Sequence, residues 1–346
     1  LRLRFVTNRA QWYAPAGHEV GMCQFLLQKP QRLPAGDVAA DALVLTQDQN
    51  SLSVKTEAAV YTFSRRSGLL RSITVSGAEV LDRPMNLTVW RAPLDNDMFL
   101  CGDWRAKGME DACLQCTAFT AEHADGDLVR LRYEGYLGGK TYYPLLRVSL
   151  CYEIRRAGGI TVSADCIRLK ELWFLPRLGF TLVTKPGFSR MGYFGMGPRE
   201  SYEDKHHYTS VGLYTGDVRD NYEPYIFPQE NSSHFDTKFS YVTTPAGCGL
   251  AFFAAGDTDA FSFNASHYSA EQLTALSHRH LLKEDARTFV NLDYRMSGVG
   301  SASCGPEPGE QYLISETEMH FAFRIFPLRT AALPLFEEAK RDYSAN

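Results

Sequence analysis

The stretch LRVSLCYEI, residues 146–154, decides the fold class. Leu146, Val148, Leu150, Tyr152 and Ile154 fall on one side and Arg147, Ser149, Cys151 and Glu153 on the other, the period of two that marks a half-buried antiparallel strand. The alternation returns in ITVSADC, residues 160–166, through Ile160, Val162 and Ala164. Upstream, VYTFSRRSGLLRSITVSGAEVL (60–81) reads as strand, turn at Ser67-Gly68, strand, turn at Ser76-Gly77. YLGGKTYY (136–143) signals a further hairpin through Gly138-Gly139. Helical pattern is sparse. SAEQLTALSHRHLL (269–282) offers Ser269 and Gln272 as a capping box, with Leu273, Leu276 and His280 on one side. PLFEEAKRDY (334–343) places Pro334 at a helix start. Many strands and few helices predict an all-β domain of two large sheets packed face to face.

With 346 residues, 45% of them hydrophobic, the chain can bury a large core. A net charge of -4 provides no basic stripe for phosphate, which argues against a nucleic-acid partner. No apolar run reaches the roughly twenty residues needed to cross a bilayer, which argues against a membrane. The eight cysteines lack a secreted-framework spacing, and several sit on apolar strand faces, as reduced core residues of a cytoplasmic protein do. Cys113 and Cys116 form a lone CxxC without the second ligand pair that structural zinc requires.

Residues 1–28 read as two strands, LRLRFVT and GMCQFLLQ, too few to bury a core alone. Residues 29–49, with their prolines, Gly36 and small residues, have linker composition. The main β domain is expected over 50–330, followed by a tail, 331–346. The chain does not start with Met and opens inside an apparent strand, as a piece of a longer polypeptide would.

Several segments carry candidate chemistry. RAPLDNDM (91–98) groups Asp95, Asn96 and Asp97, a turn cap or hard-cation donors, with the turn favoured because the rest of a calcium loop is missing. Arg91 beside it could pair with the turn or reach a sugar hydroxyl. GMGPRESYEDKHHYTSVGLYTGDVRDNYEPYIFPQEN (195–231) shows neither the strand nor the helix period. Its tyrosines, with Arg199, Glu200, Asp204, Glu230 and Asn231, are the materials of a carbohydrate cleft, and equally of a long loop tied by its own polar network. Glu200 near His206 or His234 could open a sugar ring by general acid and base catalysis. His206, His207, His278 and His280 read as ordinary polar residues, since HxH on a helix sends its rings to different faces. No GxSxG, P-loop or dinucleotide fingerprint occurs.

RAPLDNDM, LQCTA (114–118), YFGMGPRESYEDK (193–205), YEPYIFPQEN (222–231), FNASHYSAEQLTALSHRHLL (263–282) and VNLDYRMSGVGS (290–301) together resemble the C-terminal region of bacterial β-galactosidases of glycoside hydrolase family 2. The resemblance implies that residues 1–28 end an immunoglobulin-like sandwich and that the main domain is a galactose-mutarotase-like supersandwich. It also implies that the two catalytic glutamates lie upstream on a (β/α)8 barrel, so that no catalytic residue is expected in this chain. Retaining hydrolysis needs two carboxyl groups roughly 5 Å apart. The family carries a tryptophan, in a segment resembling GxGGxxSWGP, that completes the galactose pocket. Here GVGSASCGPEP (298–308) corresponds, and Cys304 takes the tryptophan's place without its flat apolar face. Arg91, Asp95, Arg199, Glu200, Glu230 and Asn231 form a candidate secondary sugar groove. The implied setting is a cytoplasmic, homo-oligomeric, lactose-hydrolysing enzyme that uses magnesium and sodium, with none held by this chain; the implied partners are the upstream domains and a galactoside. A stand-alone carbohydrate-binding module and a sugar mutarotase remain as alternatives.

Overall fold

The structure is a computed structural model that describes residues 1–28, 33–34, 43–124, 126–156, 159–300, 305–329 and 335–342. The chain divides into two compact units, Leu1–Leu33 and Pro34–Asn346. In the first, strands Arg2–Val6 and Glu19–Gln24 pair antiparallel. This hairpin leaves Leu3, Phe5 and Trp12 exposed, because two strands have no second layer to bury them against.

The second unit is all-β, built from one nine-stranded and two five-stranded antiparallel sheets. The nine-stranded sheet runs in the order Cys113–Ala124, Leu128–Gly138, Leu146–Arg155, Gly159–Arg168, Glu318–Leu328, Gly249–Ala255, Phe239–Thr243, Arg190–Gly197 and Ser210–Asp217. One five-stranded sheet takes His234–Thr237, Phe261–Ser266, Phe289–Met296, Arg177–Thr184 and Leu81–Thr88. The other is a meander of Val44–Gln47, Ser51–Lys55, Ala59–Ser64, Leu70–Val75 and Ala78–Glu79. The expected large sheets are present, with the second layer divided in two. Strand Val44–Gln47 pairs with Ser51–Lys55, so the meander begins inside the stretch of linker composition.

The period-two pattern is what joins these layers. Leu146, Val148, Leu150, Tyr152 and Ile154 are all fully buried. Tyr152 pairs with Val162, and Val162 with Phe323, so the three share one face across adjacent strands. Onto that face Phe63 of the meander packs, its ring 4.9 Å from Tyr152 and 5.8 Å from Phe119. Phe180 of the other sheet stands 5.9 Å from Phe321 and 6.2 Å from Phe323, both edge-on. The nine-stranded sheet is therefore the common base for both smaller sheets.

The opposite face of the same sheet is closed locally by the segment 335–342. Arg324 and its register partner Phe253 point outward, with the guanidinium 4.7 Å from the ring centroid. Phe336 packs 5.0 Å from both Phe194 and Phe239, while Glu338 meets Arg324 at 2.6 Å.

Turn chemistry follows the sequence. Ser76 and Gly77 both adopt positive φ in a two-residue hairpin between Val75 and Ala78. The strands around Gly138-Gly139 do pair, Leu137 with Leu146, but across the longer connection 139–145. Helix is scarcer than the pattern suggests. Ser269 caps Ala270–Ala275 by accepting from Gln272 N at 3.1 Å, and the helix stops there. The Gln272 side chain does not close the capping box. It binds the backbone of Lys283 through both amide atoms, at 3.0 and 3.1 Å, which turns the chain back. Leu276 is extended, and Arg279–Leu281 forms a separate 3-10 turn. In the tail only Leu335–Glu338 is helical, and Pro334 lies outside the described residues.

Because Phe180 fills the seam between two sheets, Phe180→Ala is expected to lose about 3–5 kcal/mol of stability. A shift in the urea or guanidinium midpoint measures this, and a loss below about 1 kcal/mol contradicts the packing.

Candidate functional site

The segment 195–231 is neither featureless nor open. Its start completes strand Arg190–Gly197, and Ser210–Asp217 pairs with that strand from Arg190↔Asp217 to Gly197↔Ser210. The second strand is the edge of the nine-stranded sheet and is wet on both sides, which removes the alternation that would reveal it. Between the two, Tyr202 and Lys205 exchange backbone hydrogen bonds in a tight turn.

Glu200 is the hub of this segment. Its carboxylate is 5% exposed. One oxygen accepts from Lys205 Nζ at 2.6 Å and from the Tyr225 hydroxyl, the other from Ser232 N at 2.9 Å. Tyr208 donates to the Glu200 carbonyl. Burial, then the bond to Glu200, pushes the Tyr225 hydroxyl up to about 12, so it stays a donor. Asn231 is committed in the same way, accepting from Glu223 N at 3.3 Å and from Ser232 Oγ at 2.6 Å while donating to Gln229 O at 2.9 Å. His234, stacked 3.8 Å from Tyr193, meets Asn221 Oδ1 at 2.7 Å. Burial lowers its pKa to about 3, so the ring is neutral. His206 turns to the Tyr202 carbonyl at 3.1 Å. Glu200 therefore faces the chain's own donors, and neither histidine contacts its carboxylate.

A second cluster joins Glu230 to two residues that the sequence reading missed, Arg177 and Asp293. Arg177, 1% exposed, lies between two buried carboxylates, Glu230 at 3.1 Å and Asp293 at 3.0 Å. Asn264 supports it, donating to Asn231 O at 2.7 Å and Glu230 Oε1 at 3.3 Å. Gly179 makes the arrangement possible, since a Cβ there would stand 2.6 Å from Asp293 Oδ1. One guanidinium serves two carboxylates. Burial raises the Asp293 pKa to about 7, with the Arg177 charge opposing and Glu230 reinforcing the shift. The sequence signal for Arg177 was a single charge at the head of an otherwise uncharged strand, RLGFTLVT, and for Asp293 an acid within FVNLDYRM, which also carries Arg295.

Arg91 resolves as a pillar rather than a sugar ligand. It is fully buried, with Nε 3.1 Å and Nη2 2.8 Å from the two oxygens of Asp97, a bidentate pair. Its remaining donors reach the Ser297 carbonyl and, at 3.1 Å, the Gly298 carbonyl. Asp97 also accepts from Leu94 N at 3.0 Å, so the turn reading of DND holds. Asn96 donates to Val299 O at 2.7 Å. Asp204 accepts from Val299 N at 3.0 Å and Gly300 N at 2.8 Å.

Of the candidate groove residues, only Asp95 and Arg199 are exposed, and Arg199 leans on Glu223 at 3.5 Å. Arg91, Glu200, Glu230 and Asn231 are buried and held by ion pairs and hydrogen bonds within the chain, so the six do not line one open groove. Cys304 lies outside the described residues. Cys113 and Cys116 are three steps apart on a regular stretch of strand, which sends their side chains to opposite faces. Among the described residues no group of three or more His, Cys, Asp or Glu side chains converges as a metal site.

A family model described as beta galactosidase small chain matches residues 55–325. The chain belongs to the β-galactosidase small-chain family. Among curated relatives, the β-galactosidase of Staphylococcus xylosus is 30% identical over 329 residues, 93% of this chain and 32% of the relative. That of Actinobacillus pleuropneumoniae is 29% identical over 325 residues, 93% of this chain and 31% of the relative. The small-chain region thus spans about a third of the length of these relatives. Among solved structures, a putative aldose 1-epimerase from Escherichia coli K12 gives a TM-score of 0.39 at 9% identity, over 82% of this chain and 99% of that one. Galactose 1-epimerase from Lactobacillus acidophilus NCFM gives 0.38 at 8%, over 83% and 98%.

The Arg177 cluster of this small-chain domain has a titration signature. Asp293 titrates near 7 in the fold and near 3.8 when unfolded, so its contribution to stability is full below about pH 4 and is lost as pH rises toward 7. His234 acts oppositely, titrating at about 3 in the fold and 6.5 unfolded, and its contribution is lost as pH falls through that window. Asp293→Asn removes only the first. Denaturant midpoints of variant and wild type should therefore differ by an amount that drifts in the variant's favour from about pH 4 to 7 and levels off above; a pH-independent difference contradicts this assignment.

Proposed function

We propose that the chain is the C-terminal part of a β-galactosidase that hydrolyses terminal β-galactosides such as lactose, that it buttresses the catalytic barrel, and that its segment 298–308 reaches the substrate pocket. The observation that carries this reading is the family match over residues 55–325 together with relatives named β-galactosidases. Chemistry points the same way. Retaining hydrolysis uses an acid and a nucleophile roughly 5 Å apart across the glycosidic bond, each open to the sugar. Among the described residues the closely set buried carboxylates, Glu230 and Asp293, flank a guanidinium instead, and Glu200 is sealed by Lys205, Tyr225 and Ser232. The catalytic pair and any magnesium or sodium are assigned to other parts of the polypeptide. The seven described cysteines are all free, which supports a cytoplasmic setting, and we take the complete enzyme to be a homo-oligomer.

The complete polypeptide should cleave nitrophenyl β-galactoside, and residues 1–346 alone should neither cleave it nor release heat with galactose or lactose in calorimetry. Turnover by the isolated chain above background would overturn the buttress reading, and sugar binding without turnover would make it a carbohydrate-binding module.

A further inference from the structure

In PYIFP, residues 224–228, Tyr225 is spent on Glu200, whereas Ile226 stands 76% exposed and Phe227 is exposed beside it. Neither sits on a loose backbone. Pro224 and Pro228 fix φ on both sides of the pair. Tyr225 N donates to Glu223 O at 2.9 Å, Ile226 O accepts from Arg279 N at 3.0 Å, and Pro224 O accepts from Arg279 Nη1 at 3.2 Å. Just beyond, Gln229 Oε1 accepts from Asp95 N at 3.0 Å and Glu230 N donates to Ala92 O at 3.1 Å. These bonds tie 222–231 to 91–99 on one side and to 278–282 on the other. Each of the two neighbours also carries large apolar side chains in the open, Met98 at 68% and Phe99 at 77% on the first and Leu281 on the second. Single exposed apolar residues are ordinary on a folded domain. Five on three segments bonded to one another mark a surface that something covers.

A backbone fixed before the encounter loses little freedom when a partner buries the side chains it presents, so Ile226 and Phe227 are preorganised anchors. We propose that Met98, Phe99, Ile226, Phe227 and Leu281 are the face on which the catalytic part of the same polypeptide docks. This rests on the reading that the chain is the C-terminal part of a β-galactosidase, and it names the face that does the buttressing. The length of the relatives argues for an occupant within the polypeptide. The region matched here is 31% and 32% of two of them, so about two thirds of each lies outside it. A domain that supports the rest must meet it across an apolar surface of its own.

The test is photochemical cross-linking in the complete polypeptide, with Ile226 and, in a second protein, Phe227 replaced by benzoylphenylalanine. Ile226 is the leading position, because so exposed a side chain is replaced without disturbing the domain's own packing. Irradiation should give a product that keeps the monomer mass on a denaturing gel and whose cross-linked peptides join position 226 to residues outside 1–346. A covalent dimer places a second copy on the face and overturns the proposal. Cross-links that end only within residues 1–346 overturn it too, as does the absence of any product at both positions. Ile226→Asp in the complete polypeptide should speed hydrogen exchange at the amides of 225–227, and an unchanged rate contradicts the docking. A complete polypeptide without galactosidase activity overturns the function proposed above, while the mass and end point of the cross-link still decide this inference.

Discussion

The burial of Arg177 is the constraint on which much of the domain depends. A guanidinium taken out of water costs several kcal/mol unless its charge and donors are met, and removing one partner of a buried pair typically costs ~3–5 kcal/mol. Here the answer comes from two places in the chain. Asp293 lies on the neighbouring strand of the same five-stranded sheet, and Glu230 at the end of the long 195–231 segment. The segment must therefore return to the sheet before the charge is satisfied. This ties an irregular stretch to a regular one more firmly than apolar contact would, because the penalty for a missed partner is electrostatic and abrupt.

That link explains how so many residues outside regular structure stay ordered. Backbone groups in a buried loop need partners as much as those in strands do. Glu200, Asn231, Asn264 and the Tyr208 hydroxyl supply them, and in doing so they give up the freedom to serve a ligand. A carboxylate in a signature segment is thus a cross-brace here.

The strands were legible because burial on one face imposes a period, as in Leu146 to Ile154. The edge strand Ser210–Asp217 was not, because water on both sides removes that selection. Helix 270–275 was placed correctly at Ser269 but overrun at its end, since Gln272 prefers the Lys283 backbone, a partner no local pattern reveals. The site residues were legible by type only. Composition could not tell a cleft from a tied loop, as the same Arg, Glu, Asn and Tyr side chains build both. Asp204 was one acid in a run of polar residues, and its contacts appear only when Val299 and Gly300, far along the chain, are brought against it.

The segment 335–342 has a practical consequence. It shields Phe239, Phe253 and the Arg324 guanidinium on the outer side of the base sheet through the Phe336 ring and the Arg324–Glu338 ion pair. Anyone trimming or fusing a protein at this point works beside a flat aromatic strand surface, the kind that self-associates once bared. Cuts and tags are better made at the exposed residues 140–143 of the 139–145 connection than after Leu328.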